Sequence, residues 1–394
     1  MALISAKRDL AVVVESTWAT PPAAYSGYAA VPAEELQFTP AQDALGQPIQ
    51  TSSFGHKFQS AVGGKGGTIT FKTCVPALTT AAADTVLAVI ASWFSRLMVG
   101  CGWTEALGTG TTISGTASTT TQADVVLATG LVKGSIARIL GACRLITASN
   151  AVPTPDALTL TPALGSAPAI NGTAVYSGAS YTLTGPNPTS SYTFSFRIDG
   201  VGYVASGCNG TVKLSPANAR ERLMLEWSFS VNTWTTDVAG TITSGTFPTL
   251  TVPTPIQSLG SPFYWGSATA RALSSFGFDP GLTLSAQETP SDANGRGAWV
   301  YTECAPKATA AAYRSTDATD ALQTDYSTPT LRTFVMQLGG TGAAGNNLVI
   351  AAEQAQIAGY PAETDQGGKV GIPIPLDVRA PSTAAMPLVT LAIL

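Results

Sequence analysis

Charge is what this sequence has least of. Only 11% of its 394 residues are Asp, Glu, Lys or Arg, against roughly 25% in an ordinary globular protein. Thr, Ser, Ala and Gly fill the gap, so the surface is weakly solvated by charge. Two readings fit that composition equally: a surface covered by partners in a particle of many copies, or a soluble protein from an Ala/Gly/Thr-rich coding background. The net charge of -4 argues against wrapping nucleic acid, which needs a basic stripe. It leaves room for DNA passing through a neutral or mildly acidic channel.

The chemistry of catalysis is also scarce. His56 is the one histidine, with no cysteine close in sequence to complete a zinc site and no GxSxG elbow to complete a hydrolase triad. Cys74, Cys101, Cys143, Cys208 and Cys304 are widely spaced and odd in number, which suits free thiols in a reducing compartment. Asp317, Asp320 and Asp325 lack calcium-loop spacing and read as a solvated loop. Asn171-Gly172-Thr173 and Asn209-Gly210-Thr211 match the glycosylation pattern, but with no secretory signal they read as turns. Gly63-Gly64-Lys65-Gly66-Gly67 is no phosphate loop, because no GK[ST] follows at the required spacing. No enzyme, cofactor or metal site is expected. The opening Met1–Leu10 lacks a signal peptide's order. The apolar run 81–98 has the length of a membrane span. It contains Asp84 and Arg96, however, and reads as the buried face of a soluble helix, so no membrane partner is expected.

What is present is β pattern and one amphipathic helix. Thr68–Thr73 alternates with Ile69 and Phe71 on one side. A helix is expected over 81–99, capped by Thr79 or Thr80, with Asp84 in its first turn. Leu87, Ile90, Phe94, Leu97 and Met98 share its apolar face, and Gly100 and Gly102 stop it. Ala11–Val14 is a first short strand. Residues 19–66 read as mostly irregular, an assembly loop whose Gly63–Gly67 cluster is a flexible hairpin tip. Residues 103–123 read as a surface loop or two weak strands, and 125–146 as strands despite a competing helical pattern.

The clearest sheet signal is 191–231, an antiparallel meander with one apolar face and turns at Asp199-Gly200 and Asn209-Gly210. Strict alternation places Phe71, Tyr192, Phe194, Phe196, Leu223, Leu225, Trp227 and Phe229 in the core. The fold class expected is mainly β: a sandwich or barrel with one flanking helix, long extended loops and a candidate second β domain. Domain one spans 1–240, a Pro/Gly/Thr linker 241–262 and a second β region 263–394. The last strand, 371–379, carries Pro373 and Pro375 on one face and is expected to lie at an edge or carry a bulge, since proline cannot donate to a ladder.

An ordered series of segments resembles the tail tube (major tail) proteins of long-tailed double-stranded DNA bacteriophages. It begins with Val12-Val13-Val14-Glu15-Ser16-Thr17-Trp18, then Gly67-Thr68-Ile69-Thr70-Phe71 leading to the helix Ala83–Met98 and its Gly100-Cys101-Gly102 ending. Gly200, Gly207–Leu214 and Leu225–Ser230 follow, and Gly345–Ile350 precedes the proline-bearing last strand. The order carries the likeness more than any one motif, and the chain is long beside simple tube proteins. The resemblance implies a β-sandwich or barrel that closes into rings, six subunits to a ring. The rings stack into a hollow tube, with loops and arms joining them and other tail proteins at the tube ends. DNA passes through the lumen without sequence-specific binding. The location implied is the virion tail, and the host cytoplasm during assembly. Gly63, Gly64, Lys65, Gly66, Gly67, Pro373 and Pro375 become candidate contacts between subunits. The alternatives are another virion part, capsid or decoration protein, and a carbohydrate-binding β-sandwich.

Overall fold

A computed structural model describes residues 8–45, 61–79, 88–114, 118–126, 131–150, 156–169, 173–183, 188, 190–198, 201–218, 221–236, 246–258, 261–267, 269–292, 294–313, 322–339, 345–365, 370–382 and 386–394. The first stretch holds β1 (Arg8–Val14), β2 (Ala29–Ala30), β3 (Glu34–Leu45), β4 (Ala61–Cys74), α1 (Ser92–Gly100) and β5 (Thr104–Leu107). Six small strands follow: β6 (Thr111–Thr112), β7 (Gln122–Val125), β8 (Ile136–Ile139), β9 (Ala142–Asn150), β10 (Asp156–Thr161) and β11 (Ala174–Tyr176). Next come β12 (Ala179–Leu183), β13 (Tyr192–Ile198), β14 (Val201–Asn218), β15 (Met224–Val231) and β16 (Thr233–Thr236). The last third holds β17 (Pro262–Trp265), β18 (Ala270–Asp279), β19 (Leu282–Glu288), β20 (Arg296–Cys304), β21 (Lys307–Tyr313) and α2 (Leu322–Ser327). It ends with β22 (Arg332–Leu338), β23 (Leu348–Ile357), β24 (Thr364–Asp365), β25 (Val370–Val378) and β26 (Val389–Ile393). The protein is mainly β, with two short helices among the described residues.

Two layers face each other in the first half. One is β2, β1, β13 and β16 around the first part of β14; the other is β3, β4, β15 and the second part of β14. Phe194 of β13 meets Phe229 of β15 with ring centroids 4.7 Å apart, and Phe71 of β4 stacks on Phe229 at 6.1 Å. Phe71, Tyr192, Phe194, Phe196, Leu223, Leu225, Trp227 and Phe229 are all buried. The meander is covered on more than one face, however. Thr193 and Ser195, on the other side of β13, are buried too: Thr193 Oγ1 donates to Glu15 Oε1 at 2.6 Å, and Tyr25 Oη lies 3.0 Å from Ser195 Oγ.

β14 corrects the expected turn at Asn209-Gly210. These residues lie inside one long strand, opposite Ser230 and Phe229 of β15. The strand crosses from one layer to the other, and Gly207, at φ +64°, supplies a backbone conformation that L side chains resist at the crossing. Gly210 is needed for close approach: a Cβ there would stand 2.5 Å from the Ser228 carbonyl oxygen and 2.7 Å from the Phe229 ring. Asn209 is fully buried, so it is neither a turn tip nor a glycosylation acceptor.

The helix is shorter than expected and starts late. α1 begins at Ser92, with Ala91 at its N-cap and no side-chain cap. Thr79 is not a cap; its N–H donates to the Val89 carbonyl at 2.8 Å, while Ala88 N–H donates to the Gly108 carbonyl at 3.1 Å. Backbone groups already paired across the chain have no need of a helical ladder, and β-branched Val89 and Ile90 suit the extended form. Thr80, Asp84 and Leu87 lie outside the described residues. Ile90, Phe94, Leu97 and Met98 are buried, and Phe94 packs edge-on to Tyr181 at 5.6 Å and Trp227 at 6.2 Å. The helix ends at Gly100, followed by Gly102 at φ +80°.

Two further circuits of ladders complete the architecture. β5 and β12 pair with each other, and the strands between them form a sheet of their own. There β6, β11, β8, β9, β10 and β7 pair in that order, and an Ile113–Val125 bridge brings the end beside β6 against β7. This nearly closed barrel encloses its own apolar core, including Ile113, Val125, Ile139, Ile146, Leu158 and Val175. In the last third, ladders run from β17 to β18, β21, β25, β23, β22 and back to β17. Phe263, Phe276, Phe334, Ile350 and Ile374 are buried along that circuit. Ladders also join the two stretches of sequence: β14 to β18 and β12 to β26. Between those stretches Ile256 is buried, giving its N–H to the Val75 carbonyl and taking the Leu223 N–H, both at 3.0 Å.

Candidate functional site

The 19–66 segment is not the mostly irregular loop expected. It contains β2, β3 and the start of β4, and Gly63–Gly67 is strand, not a hairpin tip. Residues 46–60, including His56, lie outside the described residues. β4 pairs with β15 from Cys74–Met224 to Gly67–Val231, and with β3 along its length. Beyond the Gly67–Val231 pair, β3 is the one strand to which β4 stays laddered among the described residues. Residues 40–45 and 61–66 therefore form a two-stranded ribbon leading away from the sheet.

The glycines at the ribbon's root serve contact. A Cβ on Gly66 would stand 2.5 Å from Arg296 Nη1, and one on Gly67 would stand 2.7 Å from the Thr39 carbonyl oxygen. Lys65 Nζ lies 5.4 Å from the Trp234 ring centroid, within cation–π range. Phe38 on β3 wedges against Phe196, Tyr203 and Trp234 at 5.1, 5.6 and 5.7 Å. The root is thus seated firmly on the first-half core.

β3 pairs with β4 alone among the described strands, which makes it an edge. Its register shifts between Glu34 and Gln37 and again between Gln42 and Ala44, Glu35 sits at φ +54°, and Pro40 lacks a donor. Such features limit indiscriminate pairing along an edge. Lys72 holds Glu35 at 2.8 Å and reaches Glu226 at 3.8 Å, and Arg222 holds Glu34 at 3.1 Å. The hydrogen bond and charge of Glu35 raise the Lys72 pKa. All these side chains are well exposed, so the pairs orient the edge more than they stabilise it.

β25 corrects the expected edge strand. It pairs with β21 along one side, and with β24 and β23 at opposite ends of the other. Between those two short ladders, Ile372–Pro375 pair with β21 alone. The Pro375 carbonyl takes the Ala358 N–H at 2.8 Å on this second side. An antiparallel residue turns its nitrogen and carbonyl the same way, so Pro375, and Pro373 two residues before it, present their donorless nitrogens to the gap.

The inserted barrel docks on the last third through buried polar contacts. Gln337 Oε1 takes the Cys143 N–H at 3.1 Å, and Gln337 Nε2 donates to the Gly141 carbonyl at 3.0 Å. Thr390 Oγ1 donates to the Gly134 carbonyl at 2.6 Å. Arg144, almost fully buried, holds its guanidinium 4.0 Å from the Tyr264 ring centroid and donates to the Ala163 and Cys143 carbonyls at 3.1 and 2.8 Å. No spacing in the sequence marks Gln337 or Arg144 for this work.

Among the described residues no group of three or more His, Cys, Asp or Glu could hold a metal ion. Asp317 and Asp320 lie outside them. Asp325 is not in a solvated loop: it is buried, paired with Arg332 at 2.9 and 3.0 Å, and takes the Trp265 indole N–H at 2.8 Å. The side-chain hydrogen bond of Arg332 to Asp325, with the Asp325 charge beside it, raises the Arg332 pKa. The cysteines are free. No described helix is long and apolar enough to cross a membrane. Comparison with protein-family models gave no match, and comparison with curated proteins gave no significant relative.

Proposed function

We propose that this protein is a structural subunit of a phage tail tube. Copies close into hexameric rings, the rings stack into a hollow tube, and DNA is delivered through the lumen without sequence-specific contact. In this reading the facing layers of the first half are the tube-forming β-sandwich, with α1 as its flanking helix. The 263–394 region belongs to the same assembled structure.

The observation that carries the reading is the β3–β4 ribbon. It leaves the sheet beyond the Gly67–Val231 pair with β3 as its single described ladder. A two-stranded ribbon is marginal alone in water, and an open strand edge calls for a partner. A neighbouring copy supplies one, and a repeated heterologous contact closes into a ring. Gly63, Gly64, Lys65, Gly66 and Gly67 form the base of that contact. Pro373 and Pro375 offer a second place where a neighbour can cover backbone without needing its donors.

The test is negative-stain electron microscopy of the purified full chain at high concentration. Rings or tubes are expected. Monodisperse single subunits at every concentration would overturn the proposal.

A further inference from the structure

A cleft of about 290 Å³ opens where β1 ends, bordered by Glu15, Ser16, Trp18, Ser190, Asn209 and Trp299 among others. Its donors are nearly all spent. Trp18 Nε1 donates to the Arg296 carbonyl at 3.4 Å and Trp299 Nε1 to the Gly207 carbonyl at 2.7 Å. Asn209 Nδ2 donates to the Ser190 carbonyl at 2.9 Å and the Gly100 carbonyl at 3.4 Å.

Besides the Ser16 and Ser190 hydroxyls, which can donate or accept, what remains is acceptor, negative charge and aromatic surface. Asn209 is fully buried, and among the described residues its Oδ1 has no hydrogen-bond partner. The bonds of its amide nitrogen to two carbonyls assign that oxygen's place. Glu15, 7% exposed, takes N–H groups from Ala19 and Gly207, each at 2.8 Å, and hydroxyls from Ser191 and from Thr193 at 2.6 Å. Every one of these donors is neutral. Among the described residues no Lys or Arg forms an ion pair with Glu15. Arg296 stands near, with its guanidinium 5.9 Å from the Trp299 ring centroid, but it does not border the cleft.

We propose that this cleft binds an organic cation, an ammonium or guanidinium group, set against Glu15 and Asn209 with the indoles of Trp18 and Trp299 beside it. A cation brings donors for the free Oδ1 and positive charge for the uncompensated carboxylate, and it gains from aromatic faces. A carboxylate or phosphate would meet like charge and find few donors. The cation can come from a Lys or Arg of a second copy, or from a free amine; the chemistry of the cleft is the same for both. The inference does not depend on the proposed assembly.

Isothermal titration of the full chain with N-acetyl-arginine amide and with its neutral isostere N-acetyl-citrulline amide tests it. Saturable binding of the arginine compound is expected, at least tenfold tighter than the citrulline compound. Trp18→Ala and Glu15→Gln should each weaken it at least tenfold. Trp18 is only half-buried, so its variant keeps the test valid if Glu15→Gln fails to fold. Absence of saturable binding, equal binding of the citrulline compound, or wild-type affinity in folded Trp18→Ala would overturn the proposal. Sedimentation with saturating arginine amide separates the sources. Reduced self-association identifies a side chain of a second copy as the occupant, and unchanged self-association identifies a free cation.

Discussion

The Tyr301 hydroxyl donates to the Gly210 carbonyl at 2.7 Å and reaches the Gly100 carbonyl at 3.3 Å. One side chain of β20 thereby ties the crossing of β14 to the end of α1. Burial pushes the Tyr301 pKa well up, so it stays a donor. Tyr301→Phe leaves a buried carbonyl short of a partner, a loss of about 1–3 kcal/mol. Urea unfolding should show a lower midpoint with unchanged slope; an unchanged midpoint would deny the tie its importance.

Trp227 is buried among Phe71, Phe94 and Phe229, and its indole N–H donates to Thr73 Oγ1 at 2.8 Å. Trp227→Ala should cost about 3–5 kcal/mol through the cavity it leaves. Chemical denaturation measures this directly, and a loss under 1 kcal/mol, a value about that of a surface substitution, would mean the layers collapse onto the gap.

Gln42 and Lys65 are cross-strand partners at the root of the ribbon. Joining them by an Asn-Gly turn, in place of residues 43–64, should leave circular dichroism and thermal unfolding near wild type, since the seat on Phe38 and Trp234 is kept. Ring and tube formation should be lost in electron micrographs. Normal tubes from this variant would remove the ribbon from the assembly mechanism.

Gln337 serves both the N–H of Cys143 and the carbonyl of Gly141. Gln337→Leu should loosen the inserted barrel from the rest of the chain, at about 1–3 kcal/mol for each buried group left unpaired. Hydrogen exchange should rise across the barrel interface, around Gly141 and Cys143, while β15 keeps its protection. Uniform change across the chain would point to global destabilisation instead.

Burial pushes the Cys143 thiol from the ordinary 9.0 up to about 12. A raised pKa means the folded state holds the proton more tightly. The contribution is therefore fully present below the unfolded pKa and is lost as pH rises through the window from 9.0 to about 12, at about 1.4 kcal/mol per pH unit. Urea unfolding at a mildly alkaline and a strongly alkaline pH should show a smaller loss for Cys143→Ala than for wild type. Equal losses would show that this thiol does not set the alkaline limit.

Much of the core was legible because period-two alternation follows from the pleat itself. Leu225, Trp227 and Phe229 alternate with Glu226 and Ser228, and the former are buried while Glu226 and Ser228 are exposed. The covering of β13 on its other side was not legible, because Thr193 and Ser195 look like solvent-facing residues until Glu15 takes the hydroxyl of the first and Tyr25 meets that of the second. Among candidate contact residues, the glycine cluster was visible but was read as a hairpin tip, whereas it lies in a strand. Glycine marks close approach as readily as flexibility, and the neighbours at Gly66 and Gly67 come from chain positions distant from them or across the hairpin.

By itself the sequence determined the class of the fold, the apolar face of β15 and the burial of Phe94, Leu97 and Met98 on α1. These depend on residue chemistry and on periods of two or 3.6 residues, which act locally. Tertiary structure alone decided where the helix begins, that Asn209-Gly210 runs through a strand, and that β25 is flanked on both sides. It also decided that a barrel stands between β5 and β12. Each outcome turns on which distant group satisfies a backbone N–H or carbonyl, such as Gly108 for Ala88 and Phe229 opposite Gly210. Every buried backbone group needs a partner, and local pattern cannot name that partner until the chain has closed on itself.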